Sequence, residues 1–265
     1  MQTPNGKNYS LGRGKLFFAP FAPGTMTAVG GQRYFGNTPD FSTSSDSEEL
    51  EHFDSDNGVN IKDDSVTLSN TRTGSFTTDN ISIENVAMFY LGSAASFTQM
   101  AATAQTTVVK ATLGRYYQLG VTEANPVGAR HVTNVVVTKG TGPGTPVTLT
   151  NNFELDLALG RVYIETDAPD VLADDDLTFT FDQEAYTQKR IISSSDEIVG
   201  ELFFEATNPK GTLLDHFWPY VKISPNGDFA LKSGDDWMSI PFNVEFLKKD
   251  GRESVYVTDR GVKAV

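Results

Sequence analysis

His52, His131 and His216 are the only imidazoles in the chain, and no cysteine accompanies them. Zinc-thiolate, iron-sulfur and cysteine-nucleophile chemistry are thereby excluded, and imidazole chemistry rests on three positions. Asp215 and His216 are adjacent, but neighbours on a strand point to opposite faces, so one does not orient the other as a base. His52 lies among acids and could meet a metal or a carboxylate; His131 precedes a strand and suggests nothing specific. Asp54-Ser55-Asp56-Asn57-Gly58 resembles a calcium loop faintly, with the glycine one place early and no distal Glu in register. Carboxylates suitable for glycoside hydrolysis abound among 34 Asp plus Glu, yet no pair is singled out. Nucleophile elbow, zinc-protease helix, P-loop and dinucleotide fingerprint are all missing. The expectation is a protein that is not an enzyme, with no metal and no cofactor.

Net charge is -13 over 265 residues. That balance argues against gripping nucleic acid through its phosphates, though it suits a surface that must not stick to DNA. Eighteen Phe, nine Tyr and 23 Gly suggest many short strands joined by turns. The first residues hold no long apolar run before a cleavage site, and no stretch approaches 18 apolar residues, so the chain reads as soluble, unprocessed and without a membrane contact.

The elements follow from periodicity. Residues 1–14 read as a polar arm. Lys15–Ala19 reads as a strand stopped by Pro20. Arg33 to Asp64 reads as a long polar loop, with nine acids against one Lys from Asp40 onward; a loop of that length has a job, and partner contact is the plausible one. Residues 61–78 alternate with period two, placing Val66, Leu68 and Phe76 together opposite a face of Ser and Thr. A helix from Ser82 to Leu91 follows, capped by Asp79 or Asn80 and stopped at Gly92. From 97 to 181 short strands alternate with turns, the run at 140–146 being a hairpin tip or hinge. In Glu197–Thr207, Ile198, Leu202, Phe204 and Ala206 share one face, and Glu197, Val199, Glu201, Phe203 and Glu205 the other. Trp237–Leu247 reads as a strand that Pro241 confines to an edge or bulge.

Two separated blocks then carry a resemblance. Tyr34-Phe35-Gly36-Asn37-Thr38-Pro39-Asp40-Phe41, Asp63 to Leu68 and Thr71 to Ile81 resemble the major tail tube proteins of long non-contractile-tailed bacteriophages. Lys189 to Ser193, Gly200-Glu201-Leu202, Ala206 to Gly211 and Phe217 to Val221 are similar to the same family, in the same order. The resemblance covers about 10–95 and 180–255.

It implies a mainly β fold: a sandwich or open-barrel sheet with one flanking helix and a long stacking loop, closing into a β-barrel shared by several subunits. It implies one tail-tube domain over 1–265, with a flexible arm at 1–14, an inter-ring loop at 33–61 and a β-rich insertion or decoration at 120–180. The implied role is structural: stacked hexameric rings around a channel for genome and tape-measure protein. Partners are other copies, the tape-measure protein, and the tail tip and terminator proteins, while DNA passes without specific binding. The place is the virion tail, after synthesis in the bacterial cytoplasm. Arg33, Phe35, Phe41, Leu50 and Phe53 become inter-ring contacts, and Asp63, Glu197, Glu201 and Glu205 candidates for the lumen wall. The alternative from another class is a secreted or particle-attached β-sandwich that binds carbohydrate, for which Trp218 and Trp237 are the only tryptophans.

Overall fold

The computed structural model describes residues 9–56, 58–140 and 144–262. In chain order the elements are β1 (Gly14–Pro20), β2 (Arg33–Tyr34), β3 (Asp40–Asp54), β4 (Ile61–Thr78), α1 (Ile83–Phe89), β5 (Ser93–Gln99), β6 (Ala102–Lys110), β7 (Arg115–Gln118) and β8 (Val132–Lys139). Then come β9 (Thr145–Val147), β10 (Phe153–Asp156), β11 (Arg161–Ile164), β12 (Asp176–Gln183), β13 (Tyr186–Ile192), β14 (Ile198–Ala206), β15 (Thr212–Pro225), β16 (Ile240–Phe246) and β17 (Tyr256–Val262). The chain is mainly β. It forms two compact units, 1–94 with 191–265, and 95–190. The second unit is wider at both ends than the expected insertion at 120–180. Its boundaries are strands rather than linkers, since β5 and β13 pair with each other there.

The first unit is built on one antiparallel sheet in the order β2-β1-β14-β15-β16-β4-β3, with β17 also on β15. Among the described residues no sheet closes on itself. Alternation sends Leu16, Phe18, Leu202, Trp218, Val221 and Phe242 to one face, which is buried. Val86, Met88 and Phe89 of α1 pack against that core. Aromatic rings fill its centre: Phe76 lies 4.8 Å from Phe35 and 5.1 Å from Phe242. Phe41 meets Trp218 edge-on at 5.5 Å.

The helix is shorter than expected, and its N-cap is Ser82, whose hydroxyl accepts from the Asn85 N–H at 3.2 Å. Leu91 takes the left-handed conformation (φ 51°) that ends it, rather than Gly92. Asn85 is a fully buried polar hub. Its amide donates to the Phe35 and Asn80 carbonyls at 2.9 and 2.8 Å and accepts from Arg33 at 2.7 Å. Replacing Asn85 by Ala leaves those groups unpaired in the interior. We expect a loss of about 1–3 kcal/mol for each buried group that finds no water, read as a lower urea midpoint with an unchanged slope.

Three further expectations change. The 33–61 loop is for the most part a strand: β3 pairs with β4 from Asp40↔Thr77 to Asp54↔Ile61. It escapes a periodicity test because both its faces are exposed, leaving no apolar alternation to read. The ladder slips at Glu48/Glu49, where Leu68 is the extra residue on β4, and again at His52/Phe53, where Asp63 is. One extra residue reverses the facing of all that follows, so Val66 lies on the face opposite Phe76. Finally, β16 is an interior strand between β15 and β4. Pro241 is tolerated at its second position, beyond the Pro225↔Phe242 end of the β15 ladder.

The arm is tied where it is described. The Leu11 N–H donates to the Lys210 carbonyl at 3.0 Å and the Arg13 N–H to Asn208 Oδ1 at 2.8 Å; residues 1–8 of the expected arm, like 141–143 of the expected hairpin tip, lie outside the described residues.

In the second unit, the sheets β6-β12-β8-β9 and β10-β11-β7 enclose one core, with Leu119, Val162, Ile164, Leu177, Phe179 and Phe181 fully buried. Asp182 sits at irregularities in both β12 ladders. Its carboxylate accepts from Asn134 Nδ2 at 2.7 Å and the Ala104 N–H at 2.8 Å, and both donors belong to residues with positive φ. These bonds, the Asn134 one first, hold the Asp182 carboxyl below the usual aspartate range. The Lys139 ammonium at 2.6 Å and the Leu172 N–H at 2.7 Å do the same for Asp175. A depressed folded-state pKa means stability that is complete above the ordinary aspartate range and drains away as pH falls through the folded value. The calorimetric transition of residues 95–190 therefore moves down on acidification, and Asp182→Asn flattens that dependence.

Candidate assembly surface

The ribbon formed by β3 and β4 extends well past the sheet. β16 pairs with β4 only from Arg72 to Thr78. From Asp46↔Thr71 outward, each ribbon strand has, among the described residues, the other as its one partner. Both faces there are exposed over 46–53 and 61–71. Eight carboxylates fall between Asp46 and Asp64 against Lys62. Apolar side chains sit among them: Leu50 is 62 % exposed, Phe53 46 %, and Val66 and Leu68 are equally open. Leu50 and Val66 stand directly across from each other.

The internal contacts of the ribbon are weak. Lys62 Nζ reaches Glu51 at 2.8 Å and Glu49 at 3.9 Å, and His52 Nδ1 lies 2.6 Å from Asp63 Oδ1. The Glu51 carboxylate raises the Lys62 pKa. Exposed cross-strand pairs of this kind are screened by water and contribute little. A two-stranded hairpin in water is at best marginal.

The sheet face opposite α1 is the second part of the surface. Register places Tyr34, Phe17, Phe203, Phe217 and Tyr256 in one transverse row over β2, β1, β14, β15 and β17. Neighbouring rings in that row are 5.4 Å (Tyr34 and Phe17) and 6.4 Å apart (Phe17 and Phe203). Tyr34 and Tyr256 at its ends are exposed, and the three phenylalanines are half-buried. A parallel row runs Val199, Lys222, Glu245, Thr73, Ser44. Around it, Ser42, Ser75, Asn243 and Glu245 line a concave polar region of about 410 Å³.

The residues named from the sequence divide sharply. Phe35 has no exposed surface, and Phe41 is packed on Phe76 and Trp218. Neither is available to a neighbouring ring. Arg33 donates to Asn85 and, at 2.8 Å, to Met88 Sδ, and its guanidinium lies over the Phe35 ring. Burial lowers its pKa while Glu84 raises it. It fastens α1 to the sheet. Leu50 and Phe53 alone of the five stand free, both on the ribbon.

Asp63 is also on the ribbon, away from the sheet. Glu197, Glu201 and Glu205 share the open face with Phe203, as alternation predicts. Two of them meet a base. Glu197 pairs with Lys222 at 2.7 Å, which raises the lysine's pKa. Glu201 is held by Lys249 at 3.4 Å and Arg252 at 3.8 Å. Glu205 is opposite Lys15 in the strand register. The charges of Glu197 and Glu201 are therefore locally balanced. The sequence did not reveal the aromatic row, because Tyr34, Phe17 and Tyr256 come from separate strands whose register only the fold defines.

Other chemistry finds little support. Among the described residues no three His, Asp or Glu side chains gather as metal ligands. Asp215 accepts from the Ala206 N–H and pairs with Arg260 at 2.6 Å, whereas His216 stacks on Trp218 at 5.5 Å. No helix among the described residues is long and apolar enough to cross a membrane. Of the two tryptophans, Trp218 is in the core and Trp237 is 93 % exposed, so they do not form a shared sugar platform.

The chain belongs to the family described as protein of unknown function UCP028589, whose model matches residues 9–255. No curated protein matches it.

Proposed function

We propose that this protein is the structural subunit of a phage tail tube, a virion component whose copies close into rings and stack around a channel for DNA and the tape-measure protein. The observation that carries the reading is the ribbon 46–71: two long strands with open faces and exposed apolar side chains, unsupported by the rest of their own chain. Such a ribbon acquires a defined place when a second copy covers it. The sheet argues the same way. It is open, bounded at one side by the long β3 and at the other by β1, of which β2 covers two residues. Long free edges are a liability that closure removes. A head-to-tail arrangement of copies gives closed rings or open filaments by symmetry alone.

In this reading the Ser- and Thr-rich concavity by Ser42, Ser75 and Asn243 offers DNA hydroxyls and amides without a positive field, so the genome slides past it. Tail tip and terminator proteins cap the ends of the stack.

Charge makes the test specific. At -13 per copy, like charges oppose assembly, and salt screens them within about 10 Å at 0.1 M. Sedimentation of the purified protein over a salt series is expected to show a shift from small species to large assemblies as ionic strength rises. A single small species at every salt and protein concentration would contradict the proposal.

A further inference from the structure

The connection between β15 and β16 holds Trp237 at 93 % and Leu231 at 70 % exposure. It is not an unanchored loop: Phe229 in the same connection packs against Phe89 of α1 at 5.5 Å. An indole is among the side chains that gain most from leaving water, and one kept outside on an anchored segment is a knob without a hole. An apolar cleft of about 380 Å³ lies on the same unit, walled by Phe18, Pro20, Val29, Met88 and Ile198. Gly30, Gly31, Arg33 and Glu84 complete its lining. The cleft is at the small end of ligand-sized sites and takes one indole.

We propose that Trp237 of one copy enters this cleft on a second copy. The occupant is identified by three matches. Size is the first. The second is that an aromatic face suits the half-buried Arg33 guanidinium in the wall. The third is charge: Asp235 and Asp236 precede Trp237 and suit Arg33. Knob and hole are different patches of one surface, so the contact is heterologous and propagates from copy to copy. The inference rests on the self-assembly reading and adds a contact distinct from the ribbon.

Two variants of the full chain test it. Trp237→Ala removes the knob, and Val29→Glu blocks the hole at a residue that is itself 47 % exposed and so outside the core. Either alone is expected to need about tenfold or more protein to assemble. An equal mixture recovers part of that loss, because Val29→Glu keeps the knob and Trp237→Ala keeps the hole. Tryptophan emission of the wild type shifts to shorter wavelength as it assembles, and that shift is absent in Trp237→Ala. If both variants assemble as the wild type does, the knob and hole are overturned and the tube reading stands. A wild type whose Trp237 is already shielded from acrylamide at the lowest concentration also overturns the contact, since the cleft is then filled within one copy. A wild type that never assembles overturns both.

Discussion

A chain in which residues 47–70 are replaced by Asn-Gly folds as well as the wild type and builds no tubes. Asp46 and Thr71 are directly paired, and a two-residue Asn-Gly turn is the preferred way to close such a pair. Every described residue removed except the half-buried Asp54 is exposed, and none belongs to the buried core of the first unit, so the melting of that unit changes little. What disappears is Leu50, Phe53, Val66 and Leu68 together with most of the ribbon's carboxylates. If one copy's ribbon is the part that engages the next, the loss of long assemblies is complete rather than graded. Closed rings that no longer stack are the expected residue, because the sheet edges at β1 and along the inner part of β3 remain. Tubes of normal length from this variant would remove the ribbon from the account.

Phe76→Ala produces the largest expected loss of stability, and it falls on one unit. Phe76 is 1 % exposed and touches Phe35, Phe41 and Phe242. It also sits inside the part of β4 that is paired on both sides, opposite Phe41 on one side and Phe242 on the other. Truncating a buried phenylalanine costs about 3–5 kcal/mol, a large part of the 5–15 kcal/mol typical of a domain. For a unit of this size that lowers the midpoint by about 6–20 °C. The core around Phe179 and Phe181 in 95–190 is a separate cluster. Calorimetry is therefore expected to show one transition displaced and one unmoved. An equal shift of both would mean that the two units unfold as one.

Much of the architecture was legible in the residues themselves. β1, the inner part of β4 and β14 alternate clearly because each has one face in a core, and α1 was announced by a change of period, although its cap is Ser82 rather than Asp79 or Asn80. β3 was not legible, since DFSTSSDSEELEHFD has no buried face to impose a pattern. β17 was missed for a related reason: YVTDRGV has the polar run TDRG between its apolar ends, so no alternation shows. The site was harder to read than the fold. Phe35 and Phe41 were inter-ring contacts only by resemblance, yet the hydrogen bonds of Asn80 and Asn85 to the Phe35 carbonyl draw that stretch under the helix. Alternation put Glu197, Glu201 and Glu205 on one face, but Lys222 and Lys249, which pair with Glu197 and Glu201, are distant in sequence and arrive only through the fold.

The central claim is that copies of this chain assemble into a hollow tube, and negative-stain electron microscopy of the purified protein, over a concentration and salt series, tests it most directly. The account predicts rings and stacks of uniform width with a stain-filled centre, longer as salt and concentration rise. Discrete particles of one chain under every condition, or filaments without a channel, would contradict it.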